Sequence, residues 1–191
     1  MLANLLSQGD TYGNTDFGKN EPIQVEYVSA NPTGPLHVGH GRGAAVGSAL
    51  VNLLKAAGYK VSSEYYINDA GNQIDNLAAS VNARYLELLG QAVEFPADGY
   101  HGQDIVETAR RIVERSGDAY LKMGQEERLA AFKELALEEK LAALKEDLAA
   151  FNVHFDVWFS ERTLHNNGAI GDACKKLQDN GYMRSEERRV G

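Results

Sequence analysis

The sequence predicts an α/β fold in which a parallel sheet carries a mainly helical insertion. Three observations lead there. Two β-branched runs, Ile23–Val28 and Lys60–Ile67, flank an Ala- and Leu-rich stretch of helical character. Strands joined through a crossover helix pair in parallel, with Rossmann-like topology. Past residue 90 the apolar spacing becomes almost wholly helical. Finally, a Pro- and Gly-rich turn bearing two histidines separates the first strand from its helix, at the strand end where open parallel sheets bind ligands.

Residues 1–20 are polar and Gly-rich, with one apolar patch at Leu2, Leu5 and Leu6. The first strand is expected over Ile23–Val28 and its helix over His37–Ala57, capped by Gly58. Ala45, Ala49, Leu50, Leu53, Leu54 and Ala57 recur at helical spacing there and predict the buried stripe. The second strand follows at Lys60–Ile67, then a helix from Asn72 to Leu89 ended by Gly90. Phe95 to Gly102 reads as loop, and Gln103–Arg115 as helix. A long amphipathic helix spans Glu126–Phe151, its stripe formed by Leu137, Leu141, Leu144, Leu148 and Phe151. Leu177 to Met183 reads as a helix end followed by a strand start.

The densest chemical signal is Glu26-Tyr-Val-Ser-Ala-Asn-Pro-Thr-Gly-Pro-Leu-His-Val-Gly-His-Gly-Arg-Gly43. His37 and His40, three residues apart, share one face of the helix start. Gly39, Gly41 and Gly43 strip side chains from the same region, so a ligand can approach the backbone. A helix N-terminus offers free N–H groups and a positive dipole end, which suits phosphate. Strand, turn and helix with His-Val-Gly-His at the mouth describe a nucleotide site. A metal site is not expected, since the only cysteine, Cys174, has no partner at ligand spacing. Asn68, Asp69, Asn72 and Gln73 gather at the next strand-to-helix turn, where they read equally as a second rim of the site or as a helix N-cap. On the residues alone, Glu26 is equally an edge-strand surface glutamate.

Ala30 to His40 resembles the His-x-Gly-His signature of class I aminoacyl-tRNA synthetases, and Glu26 through Ala44 resembles the arginyl-tRNA synthetases, bacterial type, in particular. Two further segments are similar to that family: Tyr65-Tyr-Ile-Asn-Asp-Ala-Gly-Asn-Gln73 and, more weakly, Phe155-Asp-Val-Trp-Phe-Ser-Glu161. The resemblance implies a piece of an arginine–tRNA ligase that activates arginine with ATP to arginyl-adenylate and transfers it to tRNA(Arg). It implies ATP, with Mg2+ carried by the nucleotide, as the cofactor, and arginine and tRNA(Arg) as partners. His37 and His40 would be catalytic, and Pro32, Thr33, Gly34, His37, Gly39, His40 and Gly41 would hold ATP. Glu26 would take the guanidinium, and Asn31 and Ser29 the amino-acid end. The family's organisation divides the chain into five stretches. Residues 1–20 are the trailing edge of an N-terminal domain. Residues 21–90 are the first half of the catalytic Rossmann unit, 91–152 a helical insertion and 153–183 the return to the sheet. The octapeptide 184–191 resembles translated sequencing adapter and reads as a non-native tail.

The chain lacks the family's second, lysine-bearing signature, so it is expected to be truncated and inactive alone. The first alternative is a small stand-alone His-x-Gly-His nucleotidylyltransferase. The second is a non-catalytic, synthetase-derived binding module using the Leu137–Phe151 stripe. Composition narrows the classes. The 191 residues are 43% hydrophobic, enough for a core. With 19 basic and 27 acidic residues the net charge is −8, which argues against tight nucleic-acid binding by this piece alone. No run of 18 apolar residues occurs and no membrane role is expected. The N-terminus has no signal-peptide pattern, and a single cysteine fits a reducing cytoplasm.

Overall fold

The computed structural model describes residues 2–183, so the expected non-native tail at 184–191 lies outside the described residues. Three parallel strands, β1 (Pro22–Glu26), β2 (Lys60–Ile67) and β3 (Val157–Ser160), form one sheet in the order β1-β2-β3. Register sets Glu26 against Glu64 on one side of β2 and Ile67 against Ser160 on the other. All three strands therefore run out at one edge of the sheet.

β1 stops two residues earlier than predicted. Val28 (φ +65°) and Ser29 (φ +42°) turn left-handed, and the Ser29 N–H donates to Tyr27 O at 2.9 Å. A β-branched residue at positive φ is rare, because its Cβ crowds the backbone. The surrounding bonds must therefore over-determine the turn.

After a short N-terminal helix, α1 (Leu2–Gln8), residues 15–20 wrap the end of α2 (Val38–Ala56). The N–H groups of Thr15, Gly18 and Asn20 each donate at 2.8 Å to carbonyls of Ala56, Ala57 and Gly58. Ala57, not Gly58, is the C-cap, and Gly58 follows at φ +86°. A Cβ there would lie 2.6 Å from Thr15 O, so the wrapping strand needs glycine. The predicted stripe of α2 is corrected too. Ala44, Gly47 and Val51 face the sheet, whereas Leu50 is 45% and Leu53 69% exposed. The Tyr27 ring sits where a Cβ at Gly47 would be, 2.2 Å from its nearest atom. Close approach of a ring selects the small-residue face over the leucine face.

Three helices make the second body: α3 (Asn72–Leu88), α4 (Gln103–Ser116) and α5 (Gln125–Ala150). Leu77, Val81, Tyr85, Ile105, Ala109, Ile112, Phe132 and Ala136 are its core. That core starts with α3, inside the stretch assigned from sequence to the sheet unit. The second half of α5 leaves this core and lays Leu141 and Leu148 on the sheet, beside Tyr65, Ile67 and Trp158. One long helix thus belongs to both bodies. Phe151, predicted to end its stripe, is 56% exposed, because the helix stops at Ala150. The described residues close with α6 (Arg162–Asn166) and α7 (Ala169–Asp179). Among the described residues, no helix is long and apolar enough to cross a membrane.

Candidate functional site

His37 is not inside the helix but is its N-cap, with extended backbone (φ −123°, ψ 173°). Its Nδ1 accepts from the Gly39 N–H at 3.1 Å, and His40 Nδ1 accepts from the His37 N–H at 3.2 Å. The pair forms a capping box built from two imidazoles instead of the usual Ser/Thr and Glu/Gln. The rings stack, 3.7 Å between centroids and 18° between planes. Burial first, and then the neighbouring His37, hold the His40 imidazole below its ordinary value.

That direction carries a sign for stability. The unfolded chain binds a proton at His40 near the ordinary ~6.5, before the folded chain does. The contribution of His40 is therefore complete above about pH 6.5 and is lost as pH falls toward and through its folded value. Urea midpoints measured from about pH 8 to about pH 5 should fall across that window, and less so in His40→Gln. An identical pH profile in the two proteins would refute the assignment.

Between β1 and α2 the chain crosses the sheet edge. Tyr65, fully buried, donates its hydroxyl to Ala30 O at 2.8 Å, and burial pushes its phenol up to about 12. The Thr33 N–H donates to Asn31 O at 2.8 Å, closing a tight turn over the buried Pro32. Gly34 faces α4, and a Cβ on it would stand 4.0 Å from Asp104 Oδ2. Of the signature glycines, Gly41 and Gly43 have nothing within 4 Å of a built Cβ, leaving the backbone open to a ligand.

Ser29 Oγ donates to Glu26 Oε1 at 2.8 Å and accepts from the Tyr66 N–H at 3.1 Å. It thus takes the ladder bond that β1 gives up by turning, and it orients the Glu26 carboxylate. Asn68, with its amide turned to suit its neighbours, donates to Glu161 Oε2 at 2.7 Å and faces the Asn31 side chain at 3.2 Å. Glu26, Ser29, Asn31 and Asn68 therefore share one rim at the strand C-termini. Asp69 does not join them. It is buried, accepting from the Ser160 hydroxyl at 2.6 Å and the Arg162 N–H at 3.1 Å, while its carbonyl takes Arg162 Nε at 2.8 Å. Arg162 continues to Glu134 on α5 at 2.9 Å. Asp69 is a tie between strand ends. Asn72 and Gln73 open α3 on its exposed side, with Gly71 as the N-cap, so neither reads as a cap.

Sequence reading missed Tyr66 and Glu161. Burial first, then Glu161 by charge and hydrogen bonding, and then Asp69 and Glu26, raise the Tyr66 phenol. Glu161 lies beside Asn68 only because β3 pairs with β2, and no local pattern announces it. Its one sequence signal is its place at the end of the third matching segment. Among the described residues, no group of three or more His, Cys, Asp or Glu is placed to hold a metal ion.

The sequence model of the family described as "tRNA synthetases class I (R), catalytic domain" matches residues 1–190. A curated arginine–tRNA ligase of Carboxydothermus hydrogenoformans is 54% identical over 187 residues, covering 98% of this chain and 34% of that protein. The arginine–tRNA ligase of Bacillus subtilis is 50% identical with the same coverage. Among solved structures, one from Campylobacter jejuni described as an arginyl tRNA synthetase superposes with a TM-score of 0.83 at 32% identity. It covers 96% of this chain and 40% of that one. The Thermus thermophilus arginyl-tRNA synthetase, at TM-score 0.55 and 24% identity over 94% of this chain and 30% of its own, shares the fold. The chain spans about a third of the length of the curated relatives it matches.

Proposed function

The chain belongs to the family of arginine-type class I tRNA synthetase catalytic domains, and from that premise we propose that it forms the nucleotide- and arginine-binding front of an arginine–tRNA ligase. The reaction is attack of the arginine carboxylate on the α-phosphate of ATP, release of pyrophosphate, and transfer of the arginyl group to tRNA(Arg). The observation that carries the reading is the stacked His37–His40 pair at the start of α2, at the ligand-binding edge of a parallel sheet. Adenylation needs no protein nucleophile. It needs the carboxylate and the α-phosphate held in line, and donors for the charge that grows on phosphate oxygens.

His37 and His40 take the donor role. Pro32, Thr33 and Gly34 hold the nucleotide from the loop, Gly41 leaves room along the helix start, and Gly39 gives its space to the His37 ring. Glu26, held by Ser29, receives the guanidinium as a charge-assisted pair. Asn31, beside Asn68, takes the amino-acid end of the substrate. Mg2+, carried by the nucleotide and not by a protein site among the described residues, would supply charge neutralisation at the phosphates. The helical insertion is drawn from α3 to α5, since those helices share one core, and the setting is the cytoplasm. None of the relatives named above is described as a nucleotidylyltransferase or a scaffold, and neither alternative is favoured.

The test is ATP–pyrophosphate exchange dependent on arginine and tRNA, in a full-length enzyme that carries this segment. Absence of exchange with arginine would sink the reading. Within it, Glu26→Gln removes the charge and keeps the shape. The Michaelis constant for arginine should rise about 10- to 100-fold, the loss expected for one charged hydrogen bond, with the turnover number changed far less. A fall confined to turnover would remove Glu26 from the guanidinium pocket.

A further inference from the structure

The three signature glycines are not equivalent. A Cβ at Gly41 or Gly43 would meet nothing within 4 Å, whereas at Gly39 it would stand 2.9 Å from His37 Cε1 and 3.0 Å from His37 Nδ1. The His37 ring occupies the space that any side chain at position 39 would fill. It is there because Nδ1 reaches the Gly39 N–H, while His40 Nδ1 reaches the His37 N–H and the rings lie face to face.

We infer that Gly39 is a positioning residue for the histidine pair, and that the capping box it permits locks both imidazoles as neutral Nε2–H donors. A neutral imidazole carries one N–H, and a nitrogen that accepts a hydrogen bond has its lone pair free. With both Nδ1 atoms accepting from backbone, the ring proton of each histidine sits on Nε2. Adding a second proton would set an Nδ1–H against a backbone N–H and open the cap. The stack opposes a ring flip that would carry Nδ1 away from its backbone donor and put Cδ2 in its place, since each ring would have to leave its neighbour's face.

The helix start therefore does not present the His37 and Gly39 N–H groups to an anion directly. Those two donors are taken by imidazoles, and the polarity is passed outward to two Nε2–H groups on parallel rings. The ligand chemistry this fits is a polyphosphate, bound by uncharged directional donors. The lock stands on geometry alone; only its use for a nucleotide rests on the function proposed above.

Nuclear magnetic resonance on the 15N-labelled chain tests it, at about pH 8, above the ordinary histidine range. Long-range 1H–15N spectra should show one tautomer at both rings, with the proton on Nε2. Couplings across the hydrogen bonds should link Gly39 N to His37 Nδ1 and His37 N to His40 Nδ1. A proton on either Nδ1, or the absence of both couplings, overturns the lock. In Gly39→Ala the coupling between position 39 and His37 should vanish and the His37 tautomers should mix. Gly41→Ala should keep both couplings. If alanine at 39 left the His37 signature intact, the positioning role would be wrong. Should Gly39→Ala fail to fold, the wild-type couplings still decide the lock. A failed lock leaves the arginine-dependent exchange assay untouched, and a failed exchange assay leaves the lock standing.

Discussion

Replacing His37 by alanine, in a full-length enzyme that carries this segment, lowers the rate of arginyl-adenylate formation about 10²- to 10³-fold, the usual effect of removing one donor to a charge that develops in the transition state. Arginine affinity is expected to change little, because the proposed guanidinium partner is Glu26 and not His37. Two losses are mixed in that variant. His37 is also the N-cap of α2, accepting from the Gly39 N–H, and loss of a cap costs about 0.5–2 kcal/mol of stability. His37→Asn separates them. Asparagine is a good cap, so it restores stability, but its amide does not reach as an Nε2–H does and the rate stays low. Recovery of the rate by asparagine would mean that His37 acts only through the helix start. A loss seen only in the Michaelis constant would mean ground-state binding instead.

The largest stability effect is expected at the Asp104–Lys140 pair. Lys140 is 6% exposed, and its Nζ lies 2.6 Å from Asp104 Oδ2 and 3.3 Å from Asp104 O. Asp104→Ala leaves a buried ammonium with one carbonyl, and breaking a buried pair in this way costs about 3–5 kcal/mol. Against a total of about 5–15 kcal/mol for a folded domain, that is a large share. Adding Lys140→Met removes the stranded charge and keeps an aliphatic chain of similar length, so the double variant recovers most of the loss. Urea unfolding of wild type, single and double variants measures it. A cost below about 1 kcal/mol for Asp104→Ala would show that water reaches the ammonium and screens the pair. The loop should respond as well. Asp104 Oδ2 lies behind Gly34, and the small cavity there, about 210 Å³, is lined by Gly34 and Pro35 together with Lys140 and Asp147. The charge pair between α4 and α5 thus lies behind the Gly34–Pro35 loop.

Much of the candidate site was legible because it is local. His37 to Gly43 lie within seven consecutive residues, and helix start, glycines and histidines are read from their order alone. β2 has the predicted bounds, Lys60–Ile67, because Val61, Tyr65, Tyr66 and Ile67, all strand-favouring, sit between a glycine turn and Asn-Asp. The helices of the second body begin and end within about two residues of expectation, since caps and 3.6-residue spacing are short-range signals. The early end of β1 was not legible. Val28 reads as a strand residue by propensity, and only the Ser29–Glu26 and Ser29–Tyr66 bonds reveal that it turns.

What the sequence by itself determined is therefore the order of elements from β1 to α5, the parallel pairing of the first two strands and the identity of the signature residues, because each rests on neighbours within one element or one crossover unit. Tertiary structure alone decided which face of α2 is buried, since the Tyr27 ring, and not the size of the leucines, chose it. It tied Asp69 to Ser160 and Arg162, partners 91 and 93 residues away. It brought Glu161 beside Asn68 by pairing β3 with β2. Side-chain spacing predicts which residues can meet on one element. Which carboxylates and amides at the strand ends are already engaged is set by the partners that distant segments supply.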